Sequence, residues 1–488
     1  MPSLHSSKRK NSQTFVGSSE PGAALVTKLE KVAAATITQS SGIKSSAIAE
    51  CVEDARVAAL DLNPGPPDES DFERLLQRLD LAKIRLPIAY HDAAHAPFLQ
   101  QLRALGTAQF THVMMSDPQR LGRLLQDIAH AILQNGERFE DTATDAFEEV
   151  VTDLYDGFLS AQDRRGIKTP DRLIFPPLVK WGKPSFGPYT WPADATRSLG
   201  LQCAIVSLPP TNARRGLMAW ATLPHESAGH DILHADTGLQ GELADAVFQA
   251  LSPASASLAS YWAMRIDESA SDVMGILNMG PSAAIGPILF FRGLVASLRQ
   301  RARLRNDGNA DDPHPADILR GYLGAATVRQ LSFSNAAAWG DLLESETDRD
   351  VVGPTFQLAG VDVPKKVAKE SARIVANVIA TNRNHALHNH ALLEIQDWRD
   401  VDEEIVAQIA PALVSALPVP PEIDGAGVYA AHVVAAAVRA ALTGEATPAT
   451  VFQRMITVLK EMHDGNPSWG PLHILHPSSI YFDRAYVI

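Results

Sequence analysis

The chain has 488 residues, 45% of them apolar, enough to bury a large core and to form more than one packed unit. A net charge of −13, from 43 basic and 56 acidic residues without a Lys/Arg-rich stripe, argues against a nucleic-acid partner. Cys51 and Cys203 cannot build a disulfide framework, and neither an apolar leader nor a run of ~20 uncharged apolar residues stands out, so a cytoplasmic protein without membrane contact is expected.

Residues 1–22, rich in Ser and Lys, read as a disordered tail. A helical N-terminal unit is expected over 23–165, with helices over Ala24–Thr38, Ser45–Leu62, Asp71–Leu81, Pro118–Gln134 and Asp141–Leu159. From 166 the character changes. Prolines and aromatics crowd Lys168–Pro210 around a β-like run, Gln202–Ser207, and a second apolar run, Gly216–Thr222, follows the turn at 212–215. The two runs predict a hairpin or small sheet. Helices return after Pro224, through Gln300, over Asp317–Leu331 and over Lys365–Thr381. Pro411, Pro418, Pro420 and Pro421 mark a boundary before a C-terminal helical segment, 411–488. The expected fold is α+β and predominantly helical, with a catalytic unit over 166–410 and a short β element ahead of its metal-binding helix.

The chemistry concentrates in Leu223-Pro-His-Glu-Ser-Ala-Gly-His-Asp-Ile-Leu-His234. His225-Glu226-x-x-x-His230 is one residue longer than H-E-x-x-H, in which two histidines on one helix face hold zinc and the Glu is the general base. Five steps of a regular helix separate two side chains by about 140°. A one-residue π-bulge, eased by Gly229 and preceded by Pro224, would return His225 and His230 to one face. A regular helix would instead align Glu226, His230 and His234. Downstream, Glu268 and Asp272 lie one turn apart within an otherwise apolar helix that includes Trp262, Ile266, Val273 and Ile276. Buried carboxylates persist when paired or metal-bound. Glu268 is the expected third ligand, and Asp272 suits the far N–H of a ligating histidine.

These paired segments resemble the gluzincin zinc metallopeptidases. His225-Glu-Ser-Ala-Gly-His230 is similar to the H-E-x-x-G-H motif of dipeptidyl peptidase III, and Asp267-Glu-Ser-Ala-Ser-Asp272 resembles the N-E-x-x-S-D segment of the thermolysin family. The resemblance covers about residues 223–280. It implies a zincin-like core with His225, His230 and Glu268 as Zn²⁺ ligands, Glu226 as general base and Asp272 behind a ligand. His314-Pro315 with Arg320 is similar to the H-P-x-x-x-x-R segment of membrane-associated Ste24-like peptidases. That similarity implies an oxyanion-stabilising His314 supported by Arg320. The same residues also suit a Pro-bounded helix start.

Other histidines offer less. His91 and His95 have metal spacing but no acidic partners, and read as ordinary helix residues. His385, His388 and His390 are an alternative source of the electrophile, while His473 and His476 near Trp469 fit a cleft lining. The expected activity is hydrolysis of a peptide or small amide, with the run Gly216–Thr222 pairing with an extended substrate. Two rivals stay open: an iron or dinuclear enzyme using Glu226, His230, His234 and Glu268, and a non-catalytic helical binding protein with a degenerate site.

Overall fold

Amphipathic periodicity becomes helix where the sequence carries it. In the computed structural model, which describes residues 42–160, 164–172, 175–184, 187–299, 301–415, 417–419 and 430–465, the first long helices are α1 (Ser45–Leu60), α2 (Phe72–Ala82), α3 (Ala96–Ser116), α4 (Leu121–Glu137) and α5 (Asp141–Leu159). The expected tail at 1–22, the helix at Ala24–Thr38, and His473 and His476 lie outside the described residues. In α2 the buried stripe is Phe72, Leu75 and Leu79, and Asp71 caps the helix by accepting from the Arg74 amide at 2.8 Å. His91 and His95 sit on a single π-helical turn. The His91 Nε2 faces the carbonyls of Lys83 and Leu86, and the His95 Nε2 that of Leu79, so both cap a helix end.

A three-stranded sheet follows, made of β1 (Phe175–Trp181), β2 (Tyr189–Trp191) and β3 (Cys203–Leu208) in the order β1-β3-β2. β3 is central and wholly buried; it pairs parallel with β1 and antiparallel with β2. The β1 edge carries Pro176 and Pro177 and is closed by side chains. Gln134 exchanges two hydrogen bonds with the Trp181 backbone, Asn135 donates to the Val179 carbonyl, and Glu148 accepts from its amide. The other edge, β2, lines a cavity described below.

The run Gly216–Thr222 is not a strand. Gly216 is left-handed (φ 84°), and Leu217–Trp220 forms one buried helical turn. The Leu217 amide donates to Asp54 of α1, and the Trp220 indole donates to the Asn212 carbonyl, which ties the run to helices. A short apolar run does not distinguish buried strand from buried helix, and here the neighbours decided.

The remaining long helices are α6 (Leu239–Leu251), α7 (Ala256–Ala263), α8 (Ile266–Met279), α9 (Pro281–Arg299), α10 (Asp317–Val328), α11 (Ala336–Asp348), α12 (Lys365–Thr381), α13 (Asp400–Ser415), α14 (Ala430–Thr443) and α15 (Pro448–Asp464). A second small sheet joins β4 (Asp307–Gly308), β5 (Thr355–Leu358) and β6 (Val361–Pro364). Pro411 falls inside α13 rather than between elements. One apolar cluster runs from Ile43 to Leu459, so helices from both ends of the described chain share a core. Among the described residues α9 alone is long and apolar enough to cross a membrane by length and composition, and 67% of that window is buried inside the fold. It lies close on α1, where a Cβ on Gly293 would stand 2.6 Å from that of Ala55.

α9 is pinned by a buried charge cluster. The Arg292 guanidinium donates to Asp350 at 2.7 Å and to the Glu346 carboxylate and carbonyl at 2.7 Å each. Removing Arg292 leaves these buried carboxylates only the Arg349 guanidinium and the Leu304 amide as partners, and breaking such a pair costs about 3–5 kcal/mol. Arg292→Met should therefore lower unfolding free energy by about that amount in urea denaturation of the full chain. A change below about 1 kcal/mol would show that water reaches and solvates the two carboxylates.

Candidate metal centre

Pro224 precedes one π-helical turn, His225–Gly229, and the additional residue per turn puts His225 and His230 on one side. Their rings meet edge to face with centroids 4.8 Å apart. Gly229 serves this geometry through contact rather than backbone freedom. A Cβ there would lie 2.0 Å from the Ser271 Cα on α8, and one on Gly275 would lie 3.1 Å from the His225 nitrogen. Both glycines let the turn rest on the α8 backbone, which presents Asp267, Glu268, Ser271 and Asp272 to it.

The two histidines are held alike. His225 Nδ1 lies 2.8 Å from Asp272 Oδ1, which leaves Nε2 facing Glu268 Oε2 at 3.3 Å. His230 Nδ1 lies 2.8 Å from Asp267 Oδ2, and its Nε2 faces Glu268 Oε1 at 3.7 Å. Each imidazole is thus fixed from behind by an aspartate and aims its other nitrogen at one shared carboxylate. One donor atom from each of His225, His230 and Glu268 lies within 4.8 Å of the others. Glu268 Oε2 is buried and accepts no hydrogen bond. Two imidazoles and a carboxylate, with a fourth position toward a cavity, are a donor set that suits catalytic zinc.

Electrostatics point the same way. Burial and the adjacent Arg320 guanidinium disfavour a charged His225, but Asp272 and Glu268 outweigh them and hold its pKa at about 10. Burial alone would raise Glu268, yet the His225 imidazole beside it, aided by His230 and Arg320, brings it down to about 2. Asp272 is likewise buried, and Arg320 and His225 keep it well below the usual carboxylate range. The same contacts that lower Glu268 and Asp272 raise His225, so charge on each side of the cluster favours charge on the other.

Glu226 opens onto the same cavity, of about 710 Å³, as do His225, His230, Glu268 and His314. Its carboxylate Oε2 accepts a hydrogen bond from the Thr190 hydroxyl at 3.0 Å, and the same hydroxyl lies 2.8 Å from its carbonyl. His314, on the loop before α10, is 45% exposed and turns Nε2 to Glu268 Oε1 at 3.2 Å. Its orienting partner is not Arg320 but Asp312, whose Oδ1 lies 2.9 Å from His314 Nδ1. Arg320 instead donates twice to Asp272, at 2.8 and 2.6 Å, and places its guanidinium 3.2 Å from His225 Nδ1. Its place is beside His225 and Asp272 because it lies on α10, which packs against α8.

The regular face of Glu226, His230 and His234 does not form. The helical path ends after His230, where Asp231 accepts from the Tyr155 hydroxyl and the Ala193 amide, both at 2.7 Å. His234 lies on a separate short turn, Ile232–Ala235, and faces Asp267 at 3.3 Å. His385, His388 and His390 do not line the cavity.

Three contributors have no counterpart in the sequence reading. Asp267 adjoins Glu268, and its acidic side chain was the available signal. Asp312 reaches His314 through an Asx turn, accepting also from the His314 amide at 3.0 Å, a pattern suggested by Asp-Pro-His. Thr190 comes from a strand 36 residues before Glu226 and has no local signature. Comparison of the chain with protein-family models, curated proteins and solved structures returned no match.

Equilibrium dialysis with zinc should find that His225→Ala, His230→Ala and Glu268→Ala each lose most of the bound ion, since three protein ligands leave no redundancy. His234→Ala should keep it; a zinc-free His234 variant beside a zinc-loaded His225 variant would overturn this ligand set. Gly229→Ala should also lose zinc and fall in stability by about 3 kcal/mol, because the new methyl meets backbone.

Proposed function

We propose that this chain is a zinc-dependent hydrolase that cleaves peptide bonds, with a gluzincin-like centre of His225, His230 and Glu268. The observation that carries the reading is the convergence of two aspartate-backed imidazoles on the Glu268 carboxylate, with Glu226 beside them at a cavity. The resemblance of residues 223–280 to gluzincin motifs supports it. Its exposed ring and cavity position favour His314 as the electrophile over the later histidine cluster.

When bound, zinc would polarise the scissile carbonyl and make an attacking water more acidic. Glu226 accepts the proton of that water and returns it to the leaving amine. Thr190 holds the Glu226 carboxylate in place through its hydroxyl. Asp312 on His314 Nδ1 leaves Nε2 as the donor, which turns from Glu268 to the carbonyl oxygen as charge develops there. Arg320 is a positioning residue that holds Asp272 behind His225. β2, rather than the run at Gly216–Thr222, supplies an outer strand for an extended peptide.

The direct test is digestion of a peptide library by zinc-loaded protein, with chelator and with zinc restored. Cleavage should stop with chelator and return with zinc, whereas a stoichiometrically loaded protein that cleaves nothing would sink the reading. Glu226→Gln should keep its zinc and lose about 10²-fold or more in kcat. Near wild-type turnover would remove Glu226 from the chemistry. Thr190→Val should lower kcat with KM unchanged, and Thr190→Ser should recover most of the loss. His314→Ala should cost about 10²- to 10³-fold in kcat with zinc retained, while His385→Ala, His388→Ala and His390→Ala leave kcat unchanged. Loss of turnover in one of these three, with His314→Ala active, would transfer the electrophile to the later cluster.

A further inference from the structure

The metal centre forms only one side of its cavity. Another wall is α9, which contributes Pro287, Phe290, Phe291, Leu294, Val295 and Leu298, with Arg299 at its end. These positions follow the i, i+3, i+4 rhythm of a single helix face. In most helices such a stripe is covered by the core. Here the core is reached by other positions of α9, where Gly286 and Gly293 close on Ala221 and Ala55. The second stripe lines the cavity beside the catalytic groups, buried at Pro287, partly buried from Phe290 to Val295 and exposed at Leu298.

The wall begins at the metal centre. Phe291 lies against the Arg320 guanidinium, 4.9 Å from ring centroid to Cζ, and Arg320 holds Asp272. It ends at Leu298, which is 76% exposed. The eleven steps of helix from Pro287 to Leu298 rise about 16 Å. That length matches about five residues of extended chain and exceeds a small amide. β2 lies on the same cavity, and its Thr190 touches Glu226, so an extended backbone has a strand to run beside.

From this wall we infer the substrate class, resting on the proposed peptidase reading: the cavity takes an extended polypeptide segment with large apolar side chains at several neighbouring positions. The apolar side chains lie along α9, next to the bond presented to Glu226. A charged or small polar peptide leaves the stripe in water and gains nothing from it.

Two readouts test this, one without turnover. Fluorescein-labelled ten-residue peptides of equal charge, one rich in Phe, Leu and Met and one rich in Ser, Gln and Thr, are titrated into metal-stripped full-length protein and followed by anisotropy. The apolar peptide should bind about tenfold or more tighter, in line with what apolar pockets discriminate. The exposed substitution Leu298→Glu and the half-buried Leu294→Gln should each reduce that preference several-fold, with circular dichroism unchanged. Quenched versions of both peptides, given to zinc-loaded protein, should show the same ranking in kcat/KM. Chelator-sensitive cleavage of both peptides at equal rates, with equal binding, would leave the peptidase reading standing and overturn the substrate class. Apolar binding without any zinc-dependent cleavage would uphold the wall and remove the peptidase reading. Hydrolysis of a fatty-acyl amide in preference to both peptides would overturn the inference in favour of a lipid-like substrate.

Discussion

Two imidazoles five residues apart reach one carboxylate because the backbone between them takes a π-helical turn and rests directly on α8. The contact between Gly229 and Ser271 makes this possible, since any side chain at 229 would meet backbone at 2.0 Å. From that approach follow the pairing of His225 with Asp272, of His230 with Asp267, and of both with Glu268. A regular helix at the usual helix–helix distance of 8–10 Å would separate these groups. The site is therefore a consequence of backbone proximity before it is one of side-chain chemistry.

Burying so many charges together requires mutual compensation. Asp272 sits between His225 and Arg320, and Glu268 between two imidazoles with His314 beyond. Any one of these charges alone would be costly to bury, and the cluster persists because each has a partner of opposite sign. The same arrangement leaves the far nitrogens of the histidines directed at one point. The contacts that compensate these charges also gather one donor atom each from His225, His230 and Glu268 within 4.8 Å of the others.

The surrounding elements divide the cavity by chemistry. The strand β2 alternates its side chains, with Tyr189 and Trp191 donating to Asp127 on one face and Thr190 reaching Glu226 on the other. Asp127 is itself held by Lys180 of β1, so the position of the Glu226 carboxylate is linked through the sheet to the helical layer of α4. On the same cavity α9 adds an apolar stripe that ends at Arg299. Polar and apolar walls thus come from different elements, each fixed by its own buried contacts.

Much of this was legible in the residues themselves. Periodicity placed α2, α5 and α12, whose bounds at Asp141–Leu159 and Lys365–Thr381 match the expected ones. The spacing of His225 and His230 required a π-bulge if they were to meet, and Glu268 and Asp272 had to share a helix face one turn apart. These are local properties, set by rise and rotation per residue. What the sequence left undetermined depends on groups distant along the chain. Gly216–Thr222 reads as a strand from its own residues, and it is a buried helical turn because Asp54 and Asn212 lie beside it. Arg320 joins Asp272 rather than His314 because α10 packs on α8, and Thr190 meets Glu226 only through the pairing of β2 with β3. The glycine at 229 reads as backbone freedom in the sequence, and only the neighbouring helix makes it a requirement of space. Periodicity and spacing are carried by consecutive residues, whereas packing partners are fixed by which surfaces the folded chain brings together.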